Sequence, residues 1–342
     1  MGMGRKEADM EAEMKYILEV YRQGSFSKAA EVLFMTQAAL SLAVKRVEGA
    51  LGAELFDRSH RPLRLTQAGE IYLETIREVE LLEGELERKI GELKDLERGK
   101  LRVGGTHYLN AHVLPGALAG FSWKQPGITL DIVEASSAVL AEKIEGRDLD
   151  LTFLSDQAFL SEYPHQGVFY DHVLLAVPRS FSLPEQVRKQ GYLAEDILMG
   201  RHILEERRLS LSEFQDLPFL LLSPGNNLHL RSQAMFAEAG FTPHVKTTLD
   251  QLDTAYALAS CGFGATFVSD REVDEKSEEL LFFCPDSDQT VRGFYGVLPK
   301  QSYVPHAVKA FLSYVTEKIQ EEDHRRGWNF GIPGEANAGK KL

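Results

Sequence analysis

The chain has 342 residues, more than one ordinary domain holds and enough for two or three. With 44% hydrophobic and 26% charged residues and no low-complexity tract, it reads as a globular chain rather than a fibrous or disordered one. No apolar run approaches the roughly 18 residues that a membrane-spanning helix needs. The mixed charge of Met1 to Met14 speaks against a secretory leader, so a cytoplasmic location without membrane contact is expected. The two cysteines, Cys261 and Cys284, show no metal-ligand spacing, and a reducing compartment disfavours a structural disulfide.

A net charge of -13 looks wrong for a nucleic-acid binder until it is divided along the chain. Residues 1–66 carry 10 Lys and Arg against 9 Asp and Glu, and residues 67–342 carry 28 against 42, giving about +1 and -14. Lys45, Arg46, Arg58, Arg61 and Arg64 bunch within the first segment. A local basic face suits phosphates, and an acidic remainder discourages unspecific contact elsewhere.

In chain order, Met14, Ile17, Leu18 and Tyr21 fall on one face of a helix that Gly24 ends. Ser25 or Ser27 begins a second helix with Ala29, Ala30 and Leu33 facing inward. After a break at Phe34-Met35, Thr36 caps a third, whose buried stripe is Leu40, Val44, Val47 and Leu51 and which Gly52 closes. Glu54 to Leu65 holds a basic turn with Pro62 between apolar ends, a short hairpin or wing. From Thr66 to about Arg98, apolar residues recur in steps of three and four (Ile76, Val79, Leu82, Leu86, Ile90, Leu93, Leu96). This is one long amphipathic helix, and such a stripe favours a partner helix over packing within its own domain.

Beyond Gly99 the rhythm changes. Strand-like runs at 100–104, 128–133 and 149–154 alternate with helical stretches at 114–123 and 139–144. The pattern returns with strands at 217–222, 245–249 and 265–268 around helices at 228–240 and 252–260. This predicts βαβ units, a mainly parallel sheet and two lobes with a cleft between them. Residues 179–216 fit neither half and read as an elaborated loop with short helices. The polar end from about Glu321 reads as a frayed tail.

The segment from Gly24 to Ser41 has two helices in tight connection, with alanines where they cross: a helix-turn-helix. The open face of its second helix carries Gln37, Ser41 and Lys45, flanked by Ala38, Leu42 and Arg46. Gln pairs with an adenine edge, Ser with several bases, and apolar side chains touch thymine methyls. Thr36 and the wing residues Arg58, Arg61 and Arg64 are placed for phosphates, and Ser27 is a further candidate DNA contact.

These residues resemble the LysR-type transcriptional regulators. The likeness rests on Gly-Ser-Phe-Ser-x-Ala-Ala-x-x-Leu from Gly24, Thr36-Gln-x-Ala-Leu-Ser, Glu48 ahead of Leu51-Gly52, Leu55-Phe56-x-Arg58 and Leu65-Thr66-x-Ala68-Gly69. It implies an α/β architecture: a winged helix-turn-helix DNA-binding domain over 10–66, a linker and dimerisation helix over 67–98, and a two-lobed effector-binding domain over 99–320 resembling periplasmic binding proteins. Lobe I is expected at 99–172 and 281–320, lobe II at 173–280, and a tail at 321–342. It also implies a homodimer or homotetramer on double-stranded promoter DNA, with RNA polymerase as a further contact. A small-molecule co-inducer is expected, with no other cofactor, no metal and no catalysis. The sequence departs from the family at Ala38, where proline is usual, and at Leu42 and Ala43, where Arg and Gln are usual. Readout through fewer hydrogen bonds and more methyl contacts is therefore expected.

Val103 to Pro115 resembles the family's first effector strand, loop and helix start, and Glu134-Ala-Ser-Ser the loop after the second strand. Loops that open onto helix N-termini collect anions because free N–H groups point there. Thr106, His107, Ser136 and Ser137 are the candidate contacts from one lobe, and Ser223, Pro224, Gly225 and Asn226 from the other. A helix-capping role alone also explains Ser136 or Ser137. His107 is the most distinctive, since it supplies charge or a pH response. Within Ser260-Cys-Gly-Phe-Gly264, Cys261 reads as a small buried residue, and the two cysteines do not match the pair used by peroxide-sensing relatives. The rival readings are a cytoplasmic solute-binding protein without DNA function and an enzyme using the α/β cleft. For the latter the sequence holds no Gly-x-Ser-x-Gly, His-Glu-x-x-His, phosphate loop or dinucleotide fingerprint.

Overall fold

The structure, a computed structural model, describes residues 4–60, 62–94, 99–155, 157–204, 207–300, 303–328 and 331–333. It separates into two compact units, Met1–Ile90 and Gly91–Leu342.

The first unit contains α1 (Gly4–Gln23), α2 (Phe26–Val32), α3 (Gln37–Leu51), the hairpin β1 (Phe56–Asp57) and β2 (Arg64–Leu65), and α4 (Gln67–Lys94). Its core is Ile17 and Val20 of α1, Ala29 and Ala30 of α2, Leu40, Val44 and Val47 of α3, Leu55 and Phe56 of the wing, and Leu73 and Ile76 of α4. The alanines let α2 cross closely over its neighbours. Leu51, expected in the stripe, is exposed: one turn past Val47 the helix has outrun the core, and the buried fourth residue is Glu48. Thr66 anchors α4 by accepting the Gly69 N–H at 3.1 Å. A Cβ at Gly69 would stand 2.1 Å from the Leu55 carbonyl oxygen, so only glycine lets α4 lie this close to the wing. Farther along α4, Leu82, Leu86 and Ile90 are exposed. Leu96 and the rest of 95–98 lie outside the described residues.

The second unit runs β3 (Gly99–Gly105), a π-type turn (Leu109–Val113), α5 (Pro115–Lys124), β4 (Ile128–Glu134), α6 (Ser137–Glu145), β5 (Leu151–Leu154), α7 (Gln157–Leu160), β6 (His165–Pro178), α8 (Glu185–Arg188), α9 (Ala194–Leu198), α10 (Arg201–Leu204), β7 (Arg208–Leu209), β8 (Pro218–Leu222), α11 (Asn227–Ala239), β9 (His244–Leu249), α12 (Leu252–Ser260), β10 (Ala265–Ser269), β11 (Leu280–Pro285), β12 (Val291–Val297) and α13 (His306–Arg325). In the first lobe β3 pairs in parallel with β4 and β5. In the second, β8 pairs in parallel with β9 and β10. The strand β6 serves both lobes. Its residues 165–172 pair antiparallel with β12, and its residues 173–178 pair antiparallel with β10 and β11.

Three expectations need correction. The sheet is mixed, because the strands that join the lobes run antiparallel to the βαβ cores. The chain returns to the first lobe at β12, near residue 291, not at 281, since β11 still pairs with the second half of β6. And the chain from Glu321 does not fray at once. Its polarity hides buried partners: Arg271 forms a two-pronged ion pair with Asp323 at 2.7 and 2.8 Å, and Trp328 is fully buried, with Nε1 donating to the Ile197 carbonyl. Residues 334–342 lie outside the described residues.

The Asp323→Ala variant leaves the buried Arg271 guanidinium with the Tyr170 carbonyl but without its carboxylate. Breaking such a pair costs about 3–5 kcal/mol. Urea unfolding of the full chain is expected to show the second unit's transition at lower denaturant by that amount; an unchanged transition would mean the pair is decorative.

Candidate functional site

The first site is an exposed helix face. Thr36 accepts the Ala39 N–H at 3.2 Å, capping α3, and Ser27 donates to the Gln37 side chain at 3.2 Å, tying α2 to the start of α3. Gln37, Ala38, Lys45 and Arg46 are exposed and Ser41 is half-buried. Leu42 is 62% exposed. An apolar side chain standing this far out of a polar helix face suits the proposed methyl contacts. Arg64 is exposed on β2, while Arg61 lies outside the described residues. Arg58 is already engaged. Its guanidinium pairs with Glu48 at 2.9 Å and lies 5.0 Å from the Phe26 ring centre. Glu48 also accepts the Leu55 N–H at 3.0 Å. The sequence placed Arg58 on phosphates; here it braces the wing against α2 and α3.

The turn between α2 and α3 is built like a glycine turn without a glycine. Met35 N–H reaches the Ala30 carbonyl and Phe34 N–H the Glu31 carbonyl, the paired bonds that end a helix with a left-handed residue. That residue is Phe34, at φ +53° and 97% exposed. A left-handed L-residue costs roughly 1–2 kcal/mol, while glycine's looser unfolded chain returns about 0.4–1 kcal/mol of that. Phe34→Gly is therefore expected to stabilise the first unit by roughly 0.5–1 kcal/mol in thermal unfolding; a loss of stability would show that the Phe34 ring has contacts that outweigh its backbone strain.

The second site is a cleft between the lobes of the second unit, a cavity of about 460 Å³. Thr106, His107, Ser136, Ser137, Ser223, Pro224, Gly225 and Asn226, all singled out from sequence, line it together. The capping reading holds for Ser136, which accepts the Val139 N–H, and Asn226 likewise caps its helix by accepting the Leu228 N–H. Thus α6 and α11, on opposite lobes, both start at the cleft. Ser223 donates to Asp250 at 2.6 Å. His107 is not a free charge. Its Nδ1 lies 3.1 Å from Glu134 and its Nε2 3.1 Å from Asp253 on the facing lobe. Hydrogen bonding, first to Glu134 and then to Asp253, holds its pKa above the ordinary imidazole value.

Sequence reasoning missed the residues that join the cleft to the lobe crossing. Arg292 and Tyr108 line the cavity, and behind them Asp171 of β6 is fully buried. Arg292 Nε donates to Asp171 at 2.8 Å, and its Nη2 makes a second bond to the same carboxylate. Tyr108 and Ser269 donate to Asp171 at 2.9 Å each. Burial raises the Tyr108 hydroxyl well above its ordinary pKa, keeping it a neutral donor. The one available signal was a charged residue at each of two mostly apolar runs, Asp171 and Arg292. Neither cysteine lines the cleft: Cys284 is pushed up to about 12 by burial, and Cys261, expected inside, is exposed at the end of α12.

A winged helix-turn-helix and a two-lobed ligand cleft in one chain define an effector-responsive DNA-binding protein. Residues 12–70 match the bacterial regulatory helix-turn-helix protein model of the lysR family, and residues 94–320 match the LysR substrate binding domain. The chain belongs to the LysR family of transcriptional regulators. It is 26% identical over 317 residues to the uncharacterised HTH-type transcriptional regulator YcgK of Bacillus subtilis, covering 90% of this chain and 94% of that one. Its fold matches full-length CbnR complexed with its target DNA at 18% identity and TM-score 0.59, over 90% of this chain and 99% of CbnR. It also matches the effector-binding domain of QuiR in complex with shikimate at 14% identity and TM-score 0.52, over 66% of this chain and 98% of that domain. Its curated relatives are regulators, not enzymes. Among the described residues, no helix is long and apolar enough to cross a membrane.

Proposed function

We propose that α3 reads promoter DNA through Gln37, Ser41, Leu42 and Lys45, and that a small polar effector with acceptor oxygens binds between Thr106, Ser136 and Ser137 on one lobe and Ser223 to Asn226 on the other. The observation that carries the effector reading is the convergence of two helix N-termini, α6 and α11, on one small cavity. The unsatisfied N–H groups of a helix start favour an anion such as a carboxylate. A carboxylic acid of shikimate size fits both that chemistry and a cavity of about 460 Å³.

The exposed Leu82, Leu86 and Ile90 on α4 support a homodimer formed by this helix against its copy, because an apolar stripe of this length gains from burial. A cytoplasmic tetramer on a promoter, with RNA polymerase nearby, is the family pattern it would follow. Effector binding acts through its differential affinity for two lobe arrangements.

A gel shift with the DNA upstream of its own gene tests the first half. A complex is expected that weakens steeply with added salt, because several phosphates are neutralised, and Lys45→Ala is expected to weaken it most on the preferred site, as loss of a base contact does. Leu42→Arg is expected to change the preferred site in a binding-site selection; an unchanged preference would overturn the methyl readout. Thermal-shift screening against small carboxylic acids tests the second half. A stabilising acid is expected to lose most of its shift in Ser137→Val and Thr106→Val, and an undiminished shift would place the effector elsewhere.

A further inference from the structure

Beside the effector cleft, four metal-ligating side chains from both lobes meet. His107 and His112 come from the first lobe, on the segment after β3. Asp253 stands in the first turn of α12 and Glu272 in the turn after β10, both in the second lobe. His112 Nε2 lies 2.8 Å from one Asp253 oxygen and His107 Nε2 lies 3.1 Å from the other. The ligand atoms of His112, Asp253 and Glu272 all fall within 4.8 Å of one another.

The imidazole–Asp253 contacts alone describe an ordinary interlobe ion pair. Glu272 is what that description leaves over. It is 4% exposed, and neither of its carboxyl oxygens accepts a hydrogen bond. Burial pushes its carboxyl well above the usual range. Asp253 stands close enough to add to that effect, by its charge and by sharing a proton with Glu272. A buried carboxyl to which no donor bonds marks a bound ion, a water or strain, and here it stands beside the His112 imidazole and a second carboxylate.

We propose that His112, Asp253 and Glu272, with His107 as a fourth ligand, form a binding site for a first-row transition-metal dication, best fitted by Zn2+. Imidazole and carboxylate together suit zinc and its neighbours, whereas all-oxygen shells suit Mg2+ and Ca2+. Ligand atoms about 2.0–2.1 Å from a tetrahedral zinc stand roughly 3.4 Å apart, within the spread observed here, so small rotamer changes complete the shell. Two carboxylates and two neutral imidazoles balance the ion's charge, and Glu272 gains the cationic partner it lacks. Because the ligands come from both lobes, the ion favours the arrangement in which the lobes meet. Since His107 also lines the effector cleft, metal and effector affinities are coupled, and equally in both directions.

The test uses tag-free, full-length protein stripped by a chelator. Titration calorimetry with ZnCl2 is expected to show one equivalent per chain, and the melting temperature is expected to rise with Zn2+ but not with Mg2+. His112→Ala and Glu272→Gln are each expected to weaken binding at least tenfold. Glu272→Gln keeps the side chain's shape, so it decides the matter if His112→Ala fails to fold. Absence of saturable binding would overturn the proposal. So would binding that survives both variants, or that is lost only in His172→Ala, which belongs to the separate cluster of His172, His202 and Asp270. The gel shift without added metal reports on DNA binding separately, so failure of one reading does not mimic failure of the other.

Discussion

Taking the Asp171 carboxylate out of water costs several kcal/mol unless charge and hydrogen bonds replace the lost hydration. It sits in β6 at the crossing between lobes, and its partners arrive from both sides: Arg292 from β12, Tyr108 from the segment after β3, and Ser269 from the end of β10. No lobe satisfies it alone. The lobes are thus tied at the hinge by a network that tolerates few intermediate positions, because a half-satisfied buried network is worse than either complete arrangement. Two of its members, Arg292 and Tyr108, also face the cleft. A ligand there presses on the same groups that set the hinge, which is the physical content of a switch between discrete states.

The DNA-binding unit relies on a comparable brace. Glu48 holds the Leu55 N–H and the Arg58 guanidinium at once, so the wing is fixed to the helix that carries the readout face. Glu48 and Arg58, both within the stretch that resembles the family, thus act as a structural pair, and neither need touch a base. Gly69 serves the same end by letting α4 lie against the Leu55 carbonyl.

Much of this was legible because it obeys local rules. The stripe of α3, the alternation of strands and helices, and the loops that open onto α6 and α11 follow from spacing and capping residues alone. Other features depend on contacts far apart in sequence. Asp323 and Trp328 look like tail residues until Arg271 and the Ile197 carbonyl stand beside them. The strand β6 was missed because its second half is buried on both faces, which removes the alternation that announces a half-buried strand. The pairing of His107 could not be read from nearby residues, because its partner Asp253 lies 146 positions on.

The capping roles in the cleft narrow what an effector can offer. Ser136 and Asn226 spend their side-chain oxygens on the Val139 and Leu228 N–H groups, and the Ser223 hydroxyl proton is committed to Asp250. What remains for a ligand is donor capacity at the first N–H groups of α6 and α11, which a helix leaves without internal partners, and at the hydroxyls of Thr106 and Ser137, beside acceptor oxygens of Glu134 and Asp250. Such a lining suits the proposed ligand, whose acceptor oxygens meet the helix-terminal donors while its own hydroxyls have carboxylate acceptors within the cleft. The acidic surface of the second unit does not reverse this preference, because helix-terminal donors act over the first turn only while distant surface charges are screened within about 8–10 Å. Under the proposed reading, selection of the effector rests in large part with the backbone at two helix starts, which side-chain substitution adjusts but does not create.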